Sequence, residues 1–127
     1  MALTFVRTDK APAAIGPYSQ AVQAGPWVYV SGQIPLVPET GEMAGADFET
    51  QARQVLANVQ AVLEAAGCGL SDVVAADVFL TDLKNFQAFN QLYADFFGDH
   101  KPARAVVEVS ALPRGALLEM KCTAFRP

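Results

Sequence analysis

Charge is scarce in this chain of 127 residues: Asp, Glu, Lys and Arg make up 17% of it, against roughly 25% in ordinary soluble proteins. Nine Lys and Arg stand against thirteen Asp and Glu, a net charge of −4. The basic residues are scattered singly, so the footprint that a nucleic-acid interface leaves is missing. Histidine occurs once, at His100, and cysteine twice, at Cys68 and Cys122, far apart and outside any CxxC spacing. That excludes a zinc site of the usual Cys/His kind and gives the expectation of a reducing, cytoplasmic setting. No run of about eighteen uninterrupted apolar residues is present, so no membrane-spanning helix is expected. The stretch from Met1 to Arg7 lacks the basic-then-apolar order of a signal peptide. There is no GxSxG motif and His100 has no triad context. Gly67-Cys68-Gly69 ends a helical pattern rather than following a strand, which argues against a phosphate loop.

What the chain does have is apolar surface. At 52% hydrophobic, residues 1–127 read as one domain with a core that needs neither disulfide nor metal. The apolar excess is assigned to contacts between subunits, and a homo-oligomer is expected.

Leu3 to Arg7 reads as a first strand, followed by a shaped loop through Ala11-Pro12 and Gly16-Pro17-Tyr18-Ser19. Gln20 to Ala24 and Trp27 to Gly32 form a hairpin, with Trp27, Tyr29 and Ser31 on one face and Val28 and Val30 on the other. Gln33 to Gly45 is an extended connection. After Asp47 as N-cap, Ala52, Val55, Leu56, Val59, Val62, Leu63 and Ala66 mark an amphipathic helix of about five turns that Gly67 closes. Val73 to Thr81 is a strand whose one charged residue, Asp77, is hydrogen-bonded or at an edge. Phe86, Phe89, Tyr93, Phe96 and Phe97 line a second helix that Gly98 ends, and Asn90 lies on the same stripe. Pro102 to Val109 and Leu117 to Cys122 are the last two strands. The order β-β-β-α-β-α-β-β is an α+β arrangement, with two helices able to cover only one face of the sheet.

Arg104 stands out because a guanidinium among small and β-branched residues cannot lose its proton and needs an anion. Glu119 sits in similarly apolar company on the final strand. Alternation assigns Arg104, Val106 and Glu108, with Leu117, Glu119, Lys121 and Thr123, to the uncovered face, and places Arg104 and Glu119 near a subunit interface. Spacing alone leaves a structural ion pair and a small-molecule site equally open. His100 reads as a solvated cation after the second helix, Cys68 and Cys122 as small apolar residues, and Asn90 as a structural amide bonding to backbone. Tyr18 and Ser31 are individually uninformative.

Several segments together resemble the RidA/YjgF/YER057c/UK114 family, the reactive-intermediate deaminases. They are Ala14-Ile15-Gly16-Pro17-Tyr18-Ser19-Gln20-Ala21, Val30-Ser31-Gly32-Gln33-Ile34-Pro35, the stretch from Gln51-Ala52-Arg53-Gln54-Val55 through Ala65-Ala66-Gly67, and Pro102-Ala103-Arg104 followed by Leu118-Glu119-Met120. The resemblance runs over nearly the whole chain. It implies a chorismate-mutase-like (YjgF-type) mixed sheet with two helices on one face, in a homotrimer with a central barrel and sites in the clefts between subunits. It also implies cofactor-free, metal-free hydrolysis of enamines and imines such as 2-aminoacrylate and 2-iminopropionate to 2-oxo acids and ammonia. Arg104 would then bind the substrate carboxylate and Glu119 would handle the attacking water, with Tyr18, Ser31, Gly32, Asn90 and Val106 lining or supporting the cleft. Many relatives carry cysteine where this chain has Val106, and Ser or Thr where it has Ala105, which bears on substrate range. A non-catalytic binder of 2-oxo acids or of a protein partner is the alternative from another class. A ribonuclease or translation inhibitor is a third, disfavoured by the acidic balance.

Overall fold

The hydrophobic rhythm of the chain changes from two to about 3.6 residues and back, and the elements follow it. In the computed structural model, which describes residues 2–127, the elements come in the expected order. They are β1 (Leu3–Val6), β2 (Ala21–Ala24), β3 (Trp27–Gln33), α1 (Phe48–Ala65), β4 (Val73–Leu80), α2 (Phe86–Phe97), β5 (Ala103–Glu108) and β6 (Leu118–Phe125). Helix α1 starts where Asp47 Oδ2 accepts hydrogen bonds from Thr50 N at 3.0 Å and Thr50 Oγ1 at 2.9 Å. This satisfies backbone donors that have no partner inside the helix. The helix ends at Gly67, whose φ of +80° a side chain would resist.

The strands form one sheet in the order β1-β2-β3-β6-β4-β5. Every neighbouring pair is antiparallel except β4 and β5. Those two are parallel because α2 carries the chain from the end of one back to the start of the other. The final strand β6 inserts between β3 and β4, so the C-terminal segment holds the centre of the sheet.

Both helices lie on one face. Val28, Val30, Ala76, Val78, Leu80, Leu118, Met120, Cys122 and Ala124 are buried there with Val55, Val59, Val62, Leu63 and Phe89. The opposite face is open and apolar. Phe5, Tyr29, Val107, Trp27 and Phe125 keep 66%, 51%, 46%, 39% and 37% of their surface exposed. Trp27 and Phe125 meet edge to face there with ring centres 4.8 Å apart, while Asp77, Glu119 and Lys121 lie on the same face between them and Val107.

One expected face is reversed. The register sets Ala76 beside Arg104, Val78 beside Val106 and Leu80 beside Glu108. Residues paired side by side share a face, so Arg104, Val106 and Glu108 lie on the helix side, and Ala103, Ala105 and Val107 on the open side. The physical reason is position. As an edge strand at the rim of the helix layer, β5 buries only the middle of its inner set, where Val106 packs against the core. Polar residues on either side of it reach solvent, so polarity stops reporting which face is inside.

The extended connection after β3 has little ladder of its own, only the isolated bridge between Leu36 and Met43. Its carbonyls still need donors, and buried amides of α1 supply them. Asn58 Nδ2 donates to Leu36 O at 2.9 Å and Ile34 O at 3.3 Å. Gln51 Nε2 donates to Gly45 O at 2.8 Å while its Oε1 accepts from Leu117 N at 2.9 Å.

Candidate functional site: two half-sites on opposite faces

The first half-site is built by β5 and α2. Arg104 lies across the aromatic stripe of α2, its Cζ 4.8 Å from the Tyr93 ring centre and 5.7 Å from that of Phe86. Stacking of this kind holds a guanidinium plane while leaving its edge free to donate. Its Nη1 donates to Asn90 Oδ1 at 2.7 Å. The ion pairs among the described residues are Arg7–Asp9, Arg53–Glu49 and Arg126–Asp72; Arg104 belongs to none of them. It lines a cavity of about 390 Å³ together with Asn90, Tyr93, Phe97, His100 and Lys101, among others. Among the described residues Arg104 has no carboxylate partner. Burial pushes the Tyr93 hydroxyl up, with Arg104 pulling it partly back, so Tyr93 serves as a neutral platform. Asn90 thus bonds to Arg104 rather than to backbone.

His100 also differs from its expected role. Its Nε2 meets Val73 O at 2.7 Å and its ring packs on Phe97 with centres 6.1 Å apart. It is a half-buried tie between α2 and the start of β4 rather than a solvated residue.

The second half-site is built by β3 and β6. Between Val30 and Gln33 the register with β6 shifts, a bulge of the kind that re-aims side chains near functional sites. Ser31 and Gly32 sit in it. A Cβ added at Gly32 would collide with the Glu119 carboxylate and lie 2.9 Å from its Cδ, so the missing side chain is what gives Glu119 its room. Glu119 is half-buried, and burial raises its pKa above the ordinary carboxylate value. No hydrogen-bond or ion-pair partner among the described residues offsets that penalty. Ser31 Oγ donates to Ser19 O, which fastens the loop carrying the exposed ring of Tyr18.

Within one chain these halves do not meet. Glu119 pairs with Phe79, and Phe79 with Val107, so Glu119 lies on the open face while Arg104 lies on the helix side, with β4 between their strands. The ion pair left open by the sequence is absent, and the shared face expected for the two residues is corrected. The structure brings Arg104 together with Asn90, Gly32 with Glu119, and Ser31 with the Tyr18 loop. Val106 turns its side chain to the core, leaving only its edge-strand backbone near Arg104. Tyr93 and Phe86, expected on the aromatic stripe of the second helix, were not among the expected site residues. Their spacing of three and four residues around Asn90 was the signal that they surround the same point on α2.

Among the described residues no cluster of three or more His, Cys, Asp or Glu could hold a metal. Cys68 and Cys122 are buried and unpaired with each other. Burial raises the Cys68 thiol and pushes Cys122 up to about 12. No helix among these residues is long and apolar enough to cross a membrane.

The profile of the family described as Endoribonuclease L-PSP matches residues 8–126. The chain is 48% identical over 126 residues to a RutC family protein of Pyrococcus abyssi, covering 99% of each. The chain belongs to the RidA/YjgF family. A second member, TdcF of Escherichia coli K12, named as a candidate reactive intermediate deaminase, is 44% identical over 125 residues and 96% of each chain. Among solved structures of the family, the Rid protein YyfA of Yersinia pestis superposes with a TM-score of 0.96 at 46% identity, over 98% of this chain and 99% of that one. Escherichia coli TdcF with bound serine gives 0.93 at 43% identity, over 98% and 99%. The mixed α+β fold expected from the resemblance is therefore the family fold. Names within the family divide between deaminase and endoribonuclease.

Proposed function

We propose that this chain assembles into a homotrimer that hydrolyses small 2-imino acids and their enamine tautomers to 2-oxo acids and ammonia. The observation that carries this reading is the pair of incomplete half-sites: an unpaired, stacked Arg104 at the rim of one face and an unpartnered, half-buried Glu119 on the other. Two different patches join heterologously, and a heterologous contact repeated around an axis closes a ring. The open apolar face bearing Phe5, Trp27, Tyr29, Val107 and Phe125 supplies the surface such an assembly buries.

In the assembled cleft, Arg104 of one subunit takes the substrate carboxylate on its free N–H donors, and Asn90 keeps the fork from turning. Glu119 of the neighbouring subunit faces the imine carbon and holds the water. The new C–O bond forms as the π pair of C=N moves to nitrogen, which takes up a proton from the Glu119 carboxyl. The carboxylate so formed takes a proton from the attacking water, leaving the carbinolamine; Glu119 then hands that proton to the amine, and the hydroxyl proton returns to Glu119 as the C–N bond breaks and ammonia departs. An enamine such as 2-aminoacrylate first takes a proton at its terminal carbon and gives one up from nitrogen to become the imine. Water is the only co-reactant the balance requires. A carboxyl whose pKa burial has raised suits this double duty, because it exchanges a proton more readily near neutrality.

A dehydratase generating 2-aminoacrylate, run with and without the protein, tests the reading. Accelerated release of pyruvate and ammonia over the buffer rate is expected; release at the buffer rate overturns it. Light scattering should give about three times the chain mass of 13.5 kDa. The family name endoribonuclease motivates a control with RNA. The net charge of −4 offers poor electrostatics for a polyanion, and no cleavage is expected.

A further inference from the structure

The loop between β1 and β2 carries Tyr18 and has almost no backbone hydrogen bonding of its own. Outside the strands, the one backbone–backbone bond between two of its residues joins Tyr18 N to Gly16 O at 2.9 Å. A long loop without a ladder keeps one shape only where side chains replace the missing bonds. Gln20 does this from beneath. It is 3% exposed, and its carboxamide is fully engaged. Oε1 accepts from Thr8 N at 2.7 Å, while Nε2 donates to Pro12 O at 2.8 Å, Thr8 O at 3.0 Å and Ala11 O at 3.3 Å. Its backbone carbonyl accepts from Ser31 N at 2.9 Å, and Ser31 Oγ in turn donates to Ser19 O. The loop is therefore pinned at its start by the Gln20 amide and at its end by the Ser31 bulge, the same bulge that opens space for Glu119.

We infer that Gln20 is a positioning residue: its carboxamide fixes the loop from Thr8 to Ser19 and, with the Ser31–Ser19 bond, holds Tyr18 next to the bulge at Ser31 and Gly32 that borders Glu119. The inference rests on the reading that this half-site meets substrate. Gln20 itself is sealed under the loop, so it acts on substrate only through the residue it places. A methionine there keeps the length of the side chain and loses the four carboxamide bonds.

The test is a double-mutant cycle on kcat/KM for 2-iminopropionate, using the assembled protein and the variants Gln20→Met, Tyr18→Ala and both together. Each single change is expected to cost on the order of tenfold, and the double change about the same tenfold, because Gln20 has nothing left to place once Tyr18 is gone. Losses that multiply to about a hundredfold, or a Gln20→Met variant with parental kcat/KM, overturn the inference. A purely structural Gln20 would lower Tm without that coupling. Should Gln20→Met fail to assemble, Gln20→Asn carries the same cycle; if neither assembles, the bonds serve folding and the positioning role is overturned. A wild type inert toward imines sinks the deaminase reading instead. The same four proteins would then be compared by calorimetry for 2-oxobutanoate affinity, where coupled losses uphold Gln20 and additive losses or absent binding overturn it.

Discussion

Arg104 and Glu119 are one strand apart in the sheet order, and the fold treats them in opposite ways. Arg104 is held from three sides, by Asn90, Tyr93 and Phe86, with its head at the rim. Glu119 is held by nothing polar. It is half-buried, its pKa is raised, and the bulge at Gly32 clears a space around it. A group that must recognise a fixed shape gains from being locked, since orientation settled in advance costs nothing at binding. A group that must give and take a proton gains from an environment that makes neither protonation state secure. The proposed division, a binding role for Arg104 and a chemical role for Glu119, rests on this contrast.

The sharpest way to break that division is to knock out each half separately and then mix them. Arg104→Ala and Glu119→Gln should each lower kcat/KM on 2-iminopropionate by about 10³-fold. If the halves come from different subunits, unfolding and refolding the two dead variants together should restore about a quarter of the wild-type sites. No recovery in mixed oligomers confirmed by mass spectrometry would place both halves in one subunit's service and refute the shared site. Next in size, Gly32→Ala should cost about a hundredfold in kcat by driving the carboxylate out of place, with KM changed far less. Asn90→Ala tests the locked half and should raise KM about tenfold, the worth of one charge-assisted hydrogen bond, while kcat holds. The reverse split between these two variants would invert the assigned roles.

The smallest effect concerns stability. Burial raises the pKa of Glu119 in the folded chain above its unfolded value, so ionisation costs folding energy once the pH exceeds the unfolded value, and in full above the folded one. Below the ordinary carboxylate range that cost is absent. Glu119→Gln should therefore leave Tm unchanged at acidic pH and raise it slightly at neutral pH, on the order of 2 °C. A lower Tm at neutral pH would mean that the carboxylate has a stabilising partner in the assembly.

The helices and their ends were legible in the sequence because apolar stripes, Asp47, Gly67 and Gly98 all agree on them. The face of β5 was not. An edge strand at the margin of the helix layer carries polar residues on its inner side, so alternation chose the wrong set for Arg104, Val106 and Glu108. The half-sites were legible as residue types through family resemblance, whereas their separation onto opposite faces depends on sheet order, which spacing does not encode. Gln20, Gln51 and Asn58 went unnoticed for another reason. A buried amide that satisfies loop carbonyls looks, as a letter in the sequence, like a solvated one. Gly32 was the available clue, since a glycine interrupting a strand pattern often marks a bulge or a close approach.

The two cysteines carry a last consequence. Both thiols are buried and held in the protonated form, Cys122 with a pKa of about 12. Thiolate is the form that oxidants and alkylating reagents attack. Among its described residues the chain therefore offers alkylating reagents no ready thiolate, and no disulfide whose loss could unfold it. Treated with iodoacetamide in its native state, it should keep its mass, and it should hold its shape with or without reductant. Shifts in the redox poise of its surroundings should pass it by.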